Sequence, residues 1–478
     1  MKRLRIAALP LLLVLVPTLA MCVAFCVALC APAAPLTRYT LWIDADPDTH
    51  TVSISQSVVW RNDVAPIEQL LFQCYPLAYG SDRPLPISAE SAARAYPRGA
   101  DYARFRLQSV DADRPISYEL DADDALLRIS FARPLPVGHE TTFRFCYEID
   151  LPYNLLRLGY TERDMRITGC YLQLCPFLSG TQRAVPYAPI GDPIVNERAD
   201  YAVTFCVPDG YTYACSGVSS SYVQDGETLV RAQARGIRDF ALALSQGTRH
   251  ERMHDGIPIA YLASSDDDPA RTLDVICRAL DVYTRLYGAY PYDGLQIAQT
   301  PFVAGGMEYG AFALIADDLS DAAHETVLAH EIAHQWWYGA VGNDAYEHAW
   351  MDEGLAQYAT YRYYLAVDMP SYAAYFARTA RDAYDLYLQS SPDLRGALST
   401  PLDRYASELD YTRCVYDKGL LLWLQAETLF GEDTVRDALR AYRDRCGGAI
   451  ATPDDLWQAL DETRAGAGTL LRQWAIRA

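Results

Sequence analysis

Lysine is nearly absent. Of the 41 basic residues in this chain of 478, only Lys2 and Lys418 are lysines and the rest are arginines. Basic runs are also missing after the first five positions, and 61 acidic residues against 41 basic ones leave a net charge of −20. Phosphate binding needs a basic surface or patch, so a nucleic-acid partner is excluded. No low-complexity linker and no internal repeat breaks the chain. Its composition, 51% hydrophobic and 21% charged, is that of a globular protein with more than one domain, not of a small disulfide-held scaffold. The cysteine count is less decisive: Cys22, Cys26 and Cys30 lie in the opening apolar stretch, and the nine that remain are an odd number, which cannot all pair within one chain. Cys206 with Cys215, flanking the Pro208-Asp209-Gly210 turn, and Cys170 with Cys175 are the pairs best placed to bridge.

What is present begins with a targeting signal. Lys2, Arg3 and Arg5 precede an uncharged stretch from Ile6 to Thr37, apolar through Cys30. That stretch exceeds the ~7–15 apolar residues of a secretory signal and suffices for the ~20 of a membrane span. Residues 1–37 therefore read as a membrane anchor or, if cut near Ala31–Ala34, as a signal segment. With the basic residues first, the positive-inside rule leaves the N-terminus cytosolic and everything after residue 38 outside. The protein is expected at the cell membrane as a single-pass protein with an extracytoplasmic body, or secreted.

From 38 to 250 the pattern is that of strands. Thr51–Trp60, Leu126–Phe131, Thr141–Ile149 and Tyr201–Val207 are short, rich in β-branched and aromatic residues, and separated by Pro, Gly and Asp. They predict an N-terminal β-sandwich or saddle-like sheet domain. From 251 to 478 the period changes. Asp268-Pro269 is a helix start, and Leu273, Ile276, Cys277, Leu280 and Tyr283 recur at spacings of three and four. A strand over Leu295–Phe302 and a second helix from Asp321 to Tyr338, stopped by Gly339, come next. Beyond about 354 the predicted structure is helical, with helices over Leu355–Val367, Ser371–Leu388, Lys418–Leu429 and Asp433–Arg445.

The chemistry is concentrated in His330-Glu331-Ile332-Ala333-His334. On a helix, residues four apart share a face, so both imidazoles can meet one Zn²⁺ while Glu331 stands on the flank as a base. Catalytic zinc usually takes three protein ligands and keeps a position open, so a third His, Asp or Glu is required. Glu353, in Trp350-Met351-Asp352-Glu353-Gly354, follows His334 after 18 intervening residues. That separation lets a second helix return and deliver a carboxylate. Asp352 is a candidate for orienting a ligand histidine. Trp336 and Trp337 read as core, and His324 and His348 as non-ligands.

H-E-x-x-H, eighteen residues, then E resembles the gluzincin zinc peptidases, and specifically the aminopeptidase N family. Two further stretches extend the resemblance. Gly305-Gly306-Met307-Glu308-Tyr309 is similar to the family's Gly-x-Met-Glu-Asn signature, which implies substrate binding along Gly305, Gly306 and Met307 and capture of a peptide's free α-amino group by Glu308. Tyr309 replaces the family's usual Asn. Tyr416-Asp417-Lys418-Gly419 resembles the family's Tyr-x-Lys-Gly stretch and places Tyr416 on its catalytic tyrosine; Lys418 makes that tyrosine stand out from the other 34. Gly191-Asp192-Pro193 with Asn196-Glu197 is similar to the part of the family's sheet domain that approaches the specificity pocket.

The resemblance implies a thermolysin-like zinc peptidase domain with a helical second lobe over about 354–478, one Zn²⁺ per chain on His330, His334 and Glu353, and Glu331 and Tyr416 as catalytic residues. The expected function is a zinc-dependent aminopeptidase acting on peptides with a free N-terminus. A zinc endopeptidase or oligopeptidase on the same fold, and a non-catalytic peptide-binding scaffold, are the alternatives. No large helical C-terminal cap is expected, which implies a more open cleft.

Overall fold

The computed structural model describes residues 36–264, 268–390 and 398–476. The anchor or signal expected over 1–37 falls almost wholly outside them. Among the described residues no helix is long and apolar enough to cross a membrane. The described residues from Thr37 onward form one compact unit.

Its first half is built from sheets. A seven-stranded sheet runs in the order Val218–Gln224, Glu227–Ile237, Ala199–Val207, Thr37–Asp46, Thr51–Arg61, Glu140–Asp150, Arg104–Ala112, with a parallel pair between Thr37–Asp46 and Ala199–Val207. Its strands alternate: Leu41, Ile43, Val52, Ile54, Phe143 and Phe145 turn inwards and their sequence neighbours outwards, the mark of a sheet wet on one face. The inner face packs on a four-stranded sheet that contains Ile67–Gln73 and Leu126–Leu135, where Phe72 meets Phe143 edge-on at 5.4 Å and Phe145 at 5.3 Å. The expected sandwich is present. The expected disulfides are not: all nine described cysteines are free thiols. The turn after Val207 sends the chain into a different sheet, so Cys206 faces Glu227 at the surface while Cys215 is buried beside Gln296. Cys170 and Cys175 are buried separately, with Cys175 turned towards Gln73.

The second half hangs helices on a five-stranded sheet ordered Thr248–His254, Ile257–Ala263, Leu295–Thr300, Phe312–Ala316, Gly306–Tyr309. Leu295–Thr300 is buried at every residue, because helices cover one face and a small Ala-rich sheet the other. Helices of nine or more described residues are numbered α1 (Pro269–Tyr287), α2 (Asp321–Ala333), α3 (Trp350–Ala366), α4 (Pro370–Ser390), α5 (Lys418–Phe430), α6 (Glu432–Cys446), α7 (Pro453–Thr463) and α8 (Ala467–Ala475). Asp268 caps α1 as expected, its carboxylate accepting from Arg271 N–H at 3.2 Å.

Helix α2 ends earlier than the sequence pattern predicts, at Ala333 and not Tyr338. After His334 the chain tightens into a turn in which Gly339, Ala340 and Val341 donate back to His334, Gln335 and Trp336, and Tyr338 takes a φ of 124°. Trp336 and Trp337 are buried in the core as expected. Buried Arg238 secures the turn by donating to the carbonyls of Tyr338 at 2.6 Å, Asn196 at 2.9 Å and Ala449 at 2.7 Å, which ties the sheet half to the helical half.

Candidate metal centre

Helix α2 presents His330 and His334 on one face, and the first turn of α3 brings Glu353 against them. His330 Nε2 lies 3.0 Å from Glu353 Oε2, His334 Nε2 lies 3.1 Å from His330 Nε2, and His334 Nε2 lies 3.4 Å from the same Glu353 oxygen. Ligands about 2.0–2.1 Å from a tetrahedral ion are separated by about 3.3 Å, so these three atoms already form one face of a zinc tetrahedron. The expected ligands are thus brought together. His324 and His348 belong to none of the metal-capable clusters among the described residues.

The atoms behind the triangle aim it. His334 Nδ1 lies 2.9 Å from the Trp337 carbonyl; a carbonyl only accepts, so the proton sits on Nδ1 and the Nε2 lone pair is free for a metal. The early end of α2 is what turns that carbonyl towards the ring. Gln357 lines the cavity one turn beyond Glu353. Asp352 has another task from the one the sequence suggested: its carboxylate accepts from Glu353 N–H at 2.9 Å and fixes the start of α3. Tyr416 OH donates to Glu353 Oε1 at 2.6 Å, and its ring stacks on His330 at 5.9 Å. That contact depends on two glycines. A Cβ on Gly419 would lie 2.8 Å from Gly354 Cα, so α3 and α5 touch backbone to backbone beside Glu353 and Tyr416. Tyr416 itself sits in a π-helical turn, Thr412–Asp417, a local widening frequent at functional sites. Lys418 is buried with its ammonium 6.0 Å from the Trp474 ring centre, and burial lowers it to about 8.

Glu308 is buried, not an exposed turn residue, and lies on the edge strand Gly306–Tyr309. Carboxylate oxygens of Glu308 and Glu331 and a ring nitrogen of His334 lie within 4.8 Å of one another. Gly306 has no room for a side chain, since a Cβ would fall 2.2 Å from Glu331 Oε1, and Gly305 holds a left-handed φ of 88°. Met307 is buried and lines the cleft. Gln335, next to His334, pins this strand to α2: its amide donates to the Tyr309 carbonyl at 3.0 Å and accepts from Ala311 N–H at 2.8 Å. The Tyr309 side chain points away, its OH donating to Thr168 Oγ1 at 2.8 Å. Replacement of the usual Asn therefore leaves the strand in place.

These groups open on a cavity of about 520 Å³, the size of a small-ligand site. Its electrostatics are one-sided. Burial pushes the Glu331 carboxyl up to about 8, His334 pulling down while Glu353 and Asp192 push up. Burial raises Glu308 well above the usual range, against His334 and with Asp192, Glu353 and Glu331. Burial opposes ionisation of Glu353, but the His330 and His334 rings beside it hold it below the ordinary carboxylate value. Five carboxylates, those of Asp192, Glu308, Glu331, Glu353 and Glu408, line the cavity with Arg94 and Arg157, and the Arg157 guanidinium donates to Asp192 at 2.7 Å. A divalent cation and a substrate ammonium would cancel the remaining negative charge. Glu331 Oε2 is buried with no hydrogen-bond partner, as fits a base waiting for water. Sequence reasoning missed Arg157 and Gln357. Gln357 was findable, four residues beyond Glu353 on one helix face; Arg157 lies in a loop with no motif.

The comparisons agree with this geometry. A model described as Peptidase family M1 domain matches residues 271–474. Aminopeptidase N of Lactobacillus helveticus is 29% identical over 254 residues, 48% of this chain and 29% of that protein. Aminopeptidase M1-B of Oryza sativa subsp. japonica is 29% identical over 210 residues, 40% of this chain and 23% of that protein. The chain thus covers less than a third of these curated relatives. The M1 zinc metallopeptidase from Deinococcus radiodurans shares the fold, with a TM-score of 0.66 at 16% identity over 92% of this chain and 94% of that one.

Proposed function

We propose that this chain, whose residues 271–474 are a peptidase family M1 domain, is a zinc-dependent aminopeptidase that removes N-terminal residues from peptides. The observation that carries the reading is the buried triangle of His330, His334 and Glu353 with Glu331 on one flank and Glu308 beside it. The residues fit Zn²⁺ in donor type, in spacing and in the hydrogen bond that fixes the His334 ring. A bound Zn²⁺ supplies a Lewis acid that polarises the scissile carbonyl and acidifies water.

The chain's own residues do the rest. Glu308 pairs with the substrate ammonium and fixes the register of a peptide laid along the edge strand. Glu331, its free oxygen facing the cavity, takes the proton of the attacking water and hands it to the leaving amine. Tyr416 turns its hydroxyl from Glu353 to the developing oxyanion. The test is turnover of aminoacyl-arylamides against their N-acetylated forms, with and without chelator. Hydrolysis of the free-amine substrates alone is expected, lost with chelator; equal hydrolysis of blocked substrates would rule out amine capture by Glu308.

The same reading divides the chain into a segment 1–37, a sheet domain 38–250 and a catalytic domain 251–478; most of one large hydrophobic core lies before residue 250 and most of the other after it, with Val185, Ala188 and Val195 joining the second and Ala311 the first. The basic and then apolar N-terminus supports attachment to the membrane, or secretion, with the body outside the cytosol. Protease treatment of intact cells tests that placement; a body protected from added protease would refute it.

A further inference from the structure

Residues 84–96 leave the sheet half and run along the rim of the cleft, held at each step by distant parts of the chain. Tyr187 OH donates to the Pro86 carbonyl at 3.0 Å, Arg94 Nη2 to the Val303 carbonyl at 3.1 Å, and Leu155 N–H to the Ala95 carbonyl at 2.8 Å. Between these points the hydroxyls of Ser88 and Ser91 donate to the two carboxylate oxygens of Glu408, that of Ser91 at 2.7 Å. Both serines are buried. Glu408 opens the short helix Glu408–Tyr411, which runs straight into the π-helical turn carrying Tyr416. Pro86, Ile87, Ser91 and Arg94 line the cavity from one side and Glu408 from the other, so their junction is part of its wall.

The position of that junction follows from the edge strand. Glu308 marks the ammonium end, Gly306 lies against the Glu331 carboxylate, and Val303 lies under Arg94. A peptide with its ammonium at Glu308 and its scissile carbonyl near Glu331 therefore runs on towards Val303 and meets this segment. Resting on the aminopeptidase reading, we propose that residues 84–96 form a strap, latched by Ser88 and Ser91 onto Glu408, that closes the leaving-group end of the cleft and makes peptide length a determinant of specificity. Short peptides fit beneath the latched strap, and longer ones are cleaved only when the two hydroxyl–carboxylate bonds part. The open cleft expected from the sequence is narrowed by this segment.

The test measures kcat/KM for an aminoacyl-arylamide and for peptides from dipeptide to decapeptide with one N-terminal residue. It uses the full chain and its Ser88→Ala/Ser91→Ala and Glu408→Ala variants, with circular dichroism and zinc content as checks on folding. In the unaltered protein kcat/KM is expected to fall with length. Each variant should raise the decapeptide-to-arylamide ratio about ten-fold, the size set by losing hydrogen bonds to a charged acceptor. Arylamide hydrolysis itself should stay within about two-fold. A ratio unmoved in the double-serine variant, or an unaltered protein that cleaves long and short peptides equally, overturns the strap while leaving the aminopeptidase reading intact. Absence of arylamide hydrolysis in the unaltered protein overturns that reading and the strap with it.

Discussion

Among the described residues, histidine and carboxylate atoms gather closely enough to hold a metal around His334, where two groups share that ring, and around His254, and the two places are made differently. His330, His334 and Glu353 are buried, whereas His254, Asp255 and Asp281 lie at the surface. In the first, the Trp337 carbonyl holds the His334 ring with Nε2 facing the shared centre, and an unpartnered Glu331 oxygen lies alongside. In the second, every residue already has a structural task. His254 Nε2 sits 2.7 Å from Asp281 Oδ1, and Asp255, at a φ of 48°, forms with Gly256 the two-residue turn between adjoining strands. Ligand types in proximity do not make a centre; aimed lone pairs and uncompensated buried charge do.

The largest break in that contrast comes from Glu331→Gln. The amide keeps the shape of the side chain and leaves the three ligands untouched, so zinc content by elemental analysis should equal that of the unaltered protein. It cannot take a proton, and turnover should fall by about 10²–10⁴. Undiminished turnover would remove Glu331 from the chemistry, and with it the significance of the orphaned oxygen.

Helix periodicity made His330, Glu331 and His334 legible in the sequence, and Glu353 followed because a three-ligand site demanded one more donor. Alternation did the same for Thr51–Arg61 and Glu140–Asp150, each within one or two residues of expectation. These features are local. What stayed hidden depends on distant partners: the stop of α2 at Ala333 is enforced in part by Arg238, and the free state of Cys206 and Cys215 by a change of sheet between them. Ser88 and Ser91 carry no motif, since Glu408 is more than 300 residues away. Lys418 stood out only because the chain has so few lysines. The burial that accounts for its special setting came from α5 and Trp474.

A smaller break separates the aiming of the centre from its chemistry. Gly419→Ala places a methyl group only 2.8 Å from Gly354 Cα, and must part α3 from α5. The cost in stability should be about 1–3 kcal/mol, read by thermal or urea unfolding. Separation of the helices draws Tyr416 from Glu353, so turnover should drop by about 10–10², as a displacement near 1 Å at a reacting centre does. An unfolding midpoint and rate equal to those of the unaltered protein would show that the backbone contact does not set the 2.6 Å hydrogen bond.

The smallest effect is the one that tests the comparison itself. His254→Ala removes the only imidazole from the surface cluster and breaks its bond to Asp281, whose side chain is 54% exposed against 23% for His254. An exposed pair of this kind contributes about 0–1 kcal/mol, so unfolding should move by no more than that. Zinc content after dialysis should stay at one per chain, and arylamide turnover should not change, because the hairpin turn is set by Asp255 and Gly256. If the unaltered protein instead retained a second equivalent of zinc that His254→Ala lost, a surface cluster whose histidine is already paired with Asp281 would be holding metal. Burial and aimed lone pairs would then no longer distinguish the two places.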